Sequence, residues 1–276
     1  MTLTLGLAAA ALWATTDFLN QRISRNAGAL SATFWVLTAG CIPAIPLALV
    51  VDGVPRGVPT SDFGWAIGAG ALDTLGIGLM MFGLRRGALS IIVPIVALEG
   101  AFASAGSIAL LGEPIGLAGA IGLPLAAAGS VLASLESGNR RAAGVVPAVG
   151  SAVSFAVVLL MLAQVSVLGS LTTIAIARVV AMLLVAPVAV VQRIRPMPAR
   201  TFVLAVAAGL TDVIGFAAYA KAARIGPLSL AAIAATQFAT IAVVIGIVFL
   251  RERPLRRQLV GVAVTLAAVS LLATAD

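Results

Sequence analysis

The sequence predicts an all-α integral membrane protein of ten transmembrane helices, arranged as two inverted five-helix repeats. Three observations predict it. Of 276 residues, 61% are apolar and only 10% are charged, with a mean hydropathy of +1.16. A soluble domain carries about 25% charged residues, because its surface needs polar cover. The apolar residues fall into ten stretches, each near the roughly 20 residues that a helix needs to cross a bilayer. Finally, the second part of the chain matches the first at a fixed offset of 139 residues.

The ten stretches run over about 3–20, 29–51, 63–83, 88–111, 115–135, 144–166, 170–191, 201–220, 227–250 and 256–274. The N-terminus has no basic region and reads as the start of the first span, not as a cleaved signal peptide. The connections are short and turn-rich, as in Asp52-Gly-Val-Pro-Arg-Gly and Arg195-Pro-Met-Pro, and none is long enough for a soluble domain. The segments are apolar all round, whereas strands of a membrane barrel alternate in polarity.

The +7 net charge would suggest nucleic acid in a soluble chain. Here it reads as loop arginine, and no nucleic-acid partner is expected. The odd-numbered loops hold thirteen basic residues: Arg22, Arg25, Arg85, Arg86, Arg140, Arg141, Arg193, Arg195, Arg200, Arg251, Arg253, Arg256 and Arg257. The even-numbered loops hold Arg56, Lys221 and Arg224. The odd loops are therefore expected in the cytoplasm and both termini outside, in a multi-pass protein of the cell (inner) membrane. There is no histidine, and Cys41 is the single cysteine. Imidazole metal sites, histidine bases and internal disulfides are thereby excluded, so any proton chemistry falls to carboxylates.

At the offset of 139, Gly70-Ala-Leu-Asp73-Thr-Leu-Gly76 lies over Gly209-Leu-Thr-Asp212-Val-Ile-Gly215. Arg85-Arg-Gly-Ala-Leu-Ser90 lies over Arg224-Ile-Gly-Pro-Leu-Ser229, Glu113 over Glu252 and Gly122 over Gly261. Residues 63–134 against 202–273 give 17 identities in 72 positions, so spans 3–5 recur as spans 8–10, while spans 1–2 match 6–7 only weakly. The expected division is 1–138 and 139–276. An odd number of spans per half turns the second half upside down, an organisation found in secondary transporters with a site near the midplane. Duplication that merely enlarges a bundle is the structural alternative.

Several motifs stand at matching places in this frame. Leu12-Trp13-Ala-Thr-Thr lies in the first span, Leu111-Gly-Glu113-Pro ends the fourth, and Leu250-Arg-Glu252-Arg-Pro ends the ninth. In these features, over essentially the whole chain, the sequence resembles the drug/metabolite transporter (DMT) superfamily, EamA type. The resemblance implies export of amino acids, other metabolites or drugs, with a YddG-like exporter of aromatic amino acids as the expected neighbour. The loop Asp52-Gly-Val-Pro-Arg56-Gly-Val-Pro-Thr-Ser-Asp62 departs from the basic cluster that many members carry between spans 2 and 3.

Ionisable residues within spans cost about 2.5–3.5 kcal/mol at the bilayer centre and face a bundle interior or a wet cavity. Here they are Asp17, Asp73, Glu99, Arg178 and Asp212. They are too few and scattered for a catalytic motif, and they suit a cavity for a polar or zwitterionic solute. Asp73 and Asp212 are repeat-equivalent, each near its span's midpoint. They read either as a paired cavity site or proton carrier, or as a clamp capping a kink between flanking glycines. Glu99 has Phe238 as its counterpart, beside Gln237. Arg178 can pair with Glu99 or an aspartate, or receive a solute carboxylate in a bidentate fork. Trp13 shares a helical face with Asp17 and Asn20, Trp35 with Ser31 and Thr38, and Asp212 with Phe216 and Tyr219. Aromatic rings near carboxylates can line a pocket. Interfacial anchoring is the other reading, above all for Trp65 and Tyr219. Pairs such as Gly64/Gly68 and Gly112/Gly116/Gly119 read as helix-packing stripes. Glu113 and Glu252 read as helix caps.

The expected function is a secondary transporter exporting a small metabolite, most simply an amino acid, by alternating access. A multidrug, sugar or nucleoside transporter of the same fold stays open. A membrane enzyme on lipid-linked substrates is disfavoured by the lack of clustered polar chemistry. The expected partners are a small-molecule solute, the lipid bilayer and, as a candidate coupling ion, protons. No cofactor or metal is expected, and both a monomer and a homo-oligomer are compatible with the sequence.

Overall fold

The computed structural model describes residues 1–27, 29–86, 95–114, 116–134, 145–165, 167–238, 240–241 and 256–273. The rest of span 9, Ser90, Pro94, Glu252 and the loop arginines 140, 141, 251 and 253 lie outside the described residues, as do the side chains of Asp17, Asn20, Arg22, Arg25, Arg85 and Arg86. Among the described residues every regular element is a helix: α1 (Thr2–Ala27), α2 (Ala29–Val51), α3 (Thr60–Arg86), α4 (Glu99–Leu111), α5 (Leu117–Ser134), α6 (Val145–Gln164), α7 (Ser170–Val191), α8 (Ala199–Ile225), α9 (Leu228–Ala235) and α10 (Arg256–Ala273). Among the described residues five helices are long and apolar enough to cross a membrane, namely α2, α3, α6, α7 and α8, and α1, α4, α5 and α10 carry shorter apolar stretches.

Local chemistry sets the helix ends. Proline precedes α8 at Pro198 and α9 at Pro227, where a missing N–H costs nothing. Gly112 closes α4 in the left-handed region at φ 65°, a conformation that glycine adopts without a Cβ clash. Gly112 and Gly116 are therefore not a packing stripe, since the chain is non-helical there and a Cβ on either would meet nothing within 4 Å. Pro43, Pro46, Pro124 and Pro187 lie inside helices that continue through them.

Spans 4 and 9 depart from the expected continuous helices. Helical hydrogen bonding is interrupted at Ala97–Leu98 and at Thr236–Gln237. The Leu98 amide donates to the Ile95 carbonyl at 3.2 Å, and the Gln237 amide to the Ala234 carbonyl at 3.3 Å. Both are three-residue steps, tighter than the α-helical four. The offset of 139 carries one bond onto the other. The two interruptions also meet in space, because a Cβ on Gly100 would overlap the side chain of Thr236.

The helices pack chiefly across the chain rather than with sequence neighbours. α1 lies on α8 and α3 on α6; α2 contacts α7 and α8, and α3 contacts α7. α4 meets α9, and α5 meets α10. These pairings are conserved when every label is advanced by five. Carboxylates tie loop ends together. Asp62 accepts the amides of Val167 and Leu168 at 2.7 and 3.0 Å, and Asp52 accepts the amide of Thr172 at 2.7 Å in the first turn of α7. Glu113 takes the Ser229 amide and hydroxyl, capping α9 from a different loop. At the opposite ends, the Trp35 indole N–H donates to the Arg195 carbonyl at 3.2 Å.

Candidate functional site

Two close helix approaches build the site. A Cβ on Gly70 would fall 2.5 Å from the Ala177 carbonyl oxygen, so α3 runs against the α7 backbone. A Cβ on Gly209 would fall 2.6 Å from Gly40 Cα, so α8 runs against α2 in the same way. The flanking glycines therefore serve as contact points, not as kinks, and α3 and α8 continue through them. One turn onward from each glycine stands an aspartate. Asp73 is the fourteenth of 27 residues in α3, and Asp212 the fourteenth of 27 in α8. That places each about 20 Å from its helix ends at 1.5 Å per residue.

Arg178, the ninth of 22 residues in α7, lies between them. Its Nη1 donates to Asp73 Oδ2 at 3.0 Å, and its Nη2 reaches Asp212 Oδ2 at 2.7 Å. The arginine side chain is 5% exposed, that of Asp73 8% and that of Asp212 17%, so Asp212 is the most open of the three. The Phe216 ring, one turn beyond Asp212, faces the guanidinium at 4.9 Å. Trp13 of α1 packs edge-on against Phe216 at 4.8 Å, in space that Gly215 leaves free. Two buried donors of the site, Arg178 Nε and Trp13 Nε1, have no hydrogen-bond partner among the described residues. A buried donor left unmet costs about 1–3 kcal/mol.

Five sequence candidates thus converge: Trp13, Asp73, Arg178, Asp212 and Phe216. The others are placed differently. Trp35 stands near the start of α2, edge-on to Phe34 and Phe202, among the residues of a separate core cluster. Glu99 is buried at the head of α4, beside the first interruption. Gln237 is buried in the second, where its side-chain amide donates to the Ile233 carbonyl at 2.8 Å. Arg178, expected to pair with Glu99 or an aspartate, forms ion pairs with Asp73 and Asp212. Asp17 lies in α1, but its side chain is outside the described residues. Tyr219 is not an interfacial anchor: it is fully buried, and its hydroxyl donates to the Leu159 carbonyl at 2.9 Å. Sequence reasoning missed Gly40, beside which the Arg178 stem passes, because nothing local marks a helical glycine as facing another helix.

At the place of the expected polar central cavity, little open space stands among the described residues. A void of about 10 Å³ remains beside Asp73, Arg178 and Phe216, space for no more than about one water. The two ion pairs link α7 to α3 and to α8 beside this void. A larger groove of about 360 Å³ between α2, α3 and α7 has no ionisable lining residue, and Leu49, Ile67 and Val179 make it apolar. Among the described residues no group of His, Cys, Asp and Glu could hold a metal ion.

A family model described as the EamA-like transporter family matches residues 1–135 and 142–274. No curated protein matches the chain. A solved crystal structure of a protein superposes with a TM-score of 0.82 at 17% identity, over 99% of this chain and 96% of the other. At that identity the likeness is one of fold.

Proposed function

The chain belongs to the EamA-like transporter family, and we propose that it exports an amino acid by alternating access between two inverted halves, 1–138 and 139–276. The family is one of transporters, which implies movement of a small solute across a membrane. Support for inversion comes from the odd number of spans the sequence gives each half, the 139-residue offset and the packing pairs of the described helices that survive an advance of five labels. The paired interruptions at Ala97–Leu98 and Thr236–Gln237 are natural bending points in such a scheme.

One observation carries the reading: a single arginine bridges the equivalent aspartates of the two halves at mid-helix. One cation and two carboxylates are complementary to the two charged ends of an amino acid. Entry of the solute exchanges internal ion pairs for pairs with the solute, so the closed network is separated only when a compensating ligand is present. With Arg178 on the second half, that exchange is coupled to movement of one half against the other.

The test is flux of labelled amino acids from proteoliposomes. Wild-type protein is expected to support it and Arg178→Ala to abolish it. Equal flux through both overturns the reading. Repeating the assay with and without a pH gradient separates proton exchange at the carboxylates from facilitated diffusion. The charge distribution supports odd loops in the cytoplasm and outside termini in the inner membrane; reporter fusions at each end test that orientation.

A further inference from the structure

We infer that Arg178 is a tethered occupant of a cation site, and that the solute is an organic cation of net charge +1, such as a basic amino acid or a primary amine. The inference rests on the reading of the triad as the solute site and narrows its chemistry. The set that holds the arginine consists of two carboxylates from different halves and one aromatic face. A carboxylate at each terminal nitrogen with a phenyl ring alongside forms a receptor for a guanidinium or ammonium group.

The repeat separates receptor from occupant. Asp73 and Asp212 are equivalent at the offset of 139, whereas α2, which stands in the first half where α7 stands in the second, carries no basic residue. The carboxylate pair therefore belongs to the duplicated frame, and the arginine stands in one half alone. Among the described residues Arg178 Nε has no acceptor, and a void of about 10 Å³ lies beside the side chain.

Charge arithmetic then selects the solute. With both aspartates ionised, the three side chains sum to one negative charge, and a buried site favours overall neutrality. A neutral zwitterion leaves that charge uncompensated, and an acidic amino acid adds to it. A solute of net +1 balances it. In a basic amino acid, the side-chain cation takes the place of the guanidinium between the aspartates. Its carboxylate then follows Arg178 as the arginine withdraws.

Thermal unfolding of the purified full chain in detergent tests this with L-arginine, L-lysine, L-alanine, L-phenylalanine and L-glutamate. A rise in midpoint of about 2–4 °C is expected with the first two and none with the last three. Millimolar guanidinium chloride is expected to raise the midpoint of Arg178→Ala, by filling the vacated site, and not that of wild type. Should Arg178→Ala fail to fold, the wild-type series alone decides. No shift with either cationic solute overturns the inference. Stabilisation by neutral or acidic amino acids that is lost in Asp212→Asn overturns the cation assignment while leaving the triad as the solute site. Stabilisation by any solute that is unchanged in both Asp73→Asn and Asp212→Asn overturns the site itself.

Discussion

Arg178 Nη2 stands 2.7 Å from Asp212 Oδ2, in an ion pair that joins α7 to α8 inside the bundle. The second arm of the same guanidinium holds Asp73 of α3. Removing one partner of a buried pair leaves an uncompensated charge and costs about 3–5 kcal/mol. Arg178→Ala is therefore expected to lower the unfolding midpoint more than Asp212→Asn, which removes charge but keeps shape. Restoration of the Arg178→Ala midpoint by adding both Asp73→Asn and Asp212→Asn would show that charge, not packing, is what was lost. A midpoint equal to wild type in Arg178→Ala alone contradicts the buried network.

The glycine contacts that bring the aspartates to Arg178 predict a graded response. Gly70→Ala and Gly209→Ala place a Cβ against the backbone of Ala177 and Gly40. Overpacking of this kind costs about 1–3 kcal/mol. Gly64, where a Cβ meets nothing within 4 Å, is the control: Gly64→Ala is expected to gain about 0.5–1 kcal/mol from helix propensity. Thermal melts of the three variants check the order, and equal effects at all three positions count against the close approach.

Glu113 caps α9 across loops through the Ser229 amide and hydroxyl, with the hydroxyl contact at 2.7 Å. Loss of a helix cap costs about 1 kcal/mol. Glu113→Ala is expected to speed hydrogen exchange at the first amides of α9, with Ser229→Ala giving a smaller effect. Unchanged protection in Glu113→Ala would remove the cap from the account of how span 9 is held.

Cys41, the single thiol, is buried on α2 next to Gly40, where α2 meets α8. Maleimide labelling is expected to be slow in the closed state and faster during solute turnover, as α2 and α8 part. Fast labelling in the absence of solute would mean that this seam is open at rest.

Much of the site was legible in the sequence because its parts are rare there. An aspartate flanked by glycines in an apolar span is conspicuous, and finding the same arrangement 139 residues later made Asp73 and Asp212 a pair. Arg178 stood out as the basic residue within a span. Its choice of partner did not, since Arg178 and Asp73 are 105 residues apart and no local pattern encodes which helices become neighbours. Trp35 shows the limit from the other side. Helical spacing placed it on a face with Ser31 and Thr38, but depth and partner decide what a face does, and it bonds to the Arg195 carbonyl at a helix end.

The sequence by itself determined the membrane class, the internal repeat and the place of Asp73, Glu99, Arg178 and Asp212 within helices, because each follows from composition, length or spacing along one chain, whereas the burial of Asp62 against Val167 and Leu168 was not legible. Two further things were decided by tertiary structure. The first is the bridging of the centre by one arginine held between two aspartates, which follows from glycine-mediated contact of α3 with α7 and of α8 with α2. The second is the tightened turn in spans 4 and 9, where neither Ala97–Leu98 nor Thr236–Gln237 carries a glycine or proline to announce it. There the side chain of Thr236 is seated against Gly100 of a helix more than a hundred residues away. Packing at that distance is invisible to local spacing, because it depends on which surfaces the folded chain brings together.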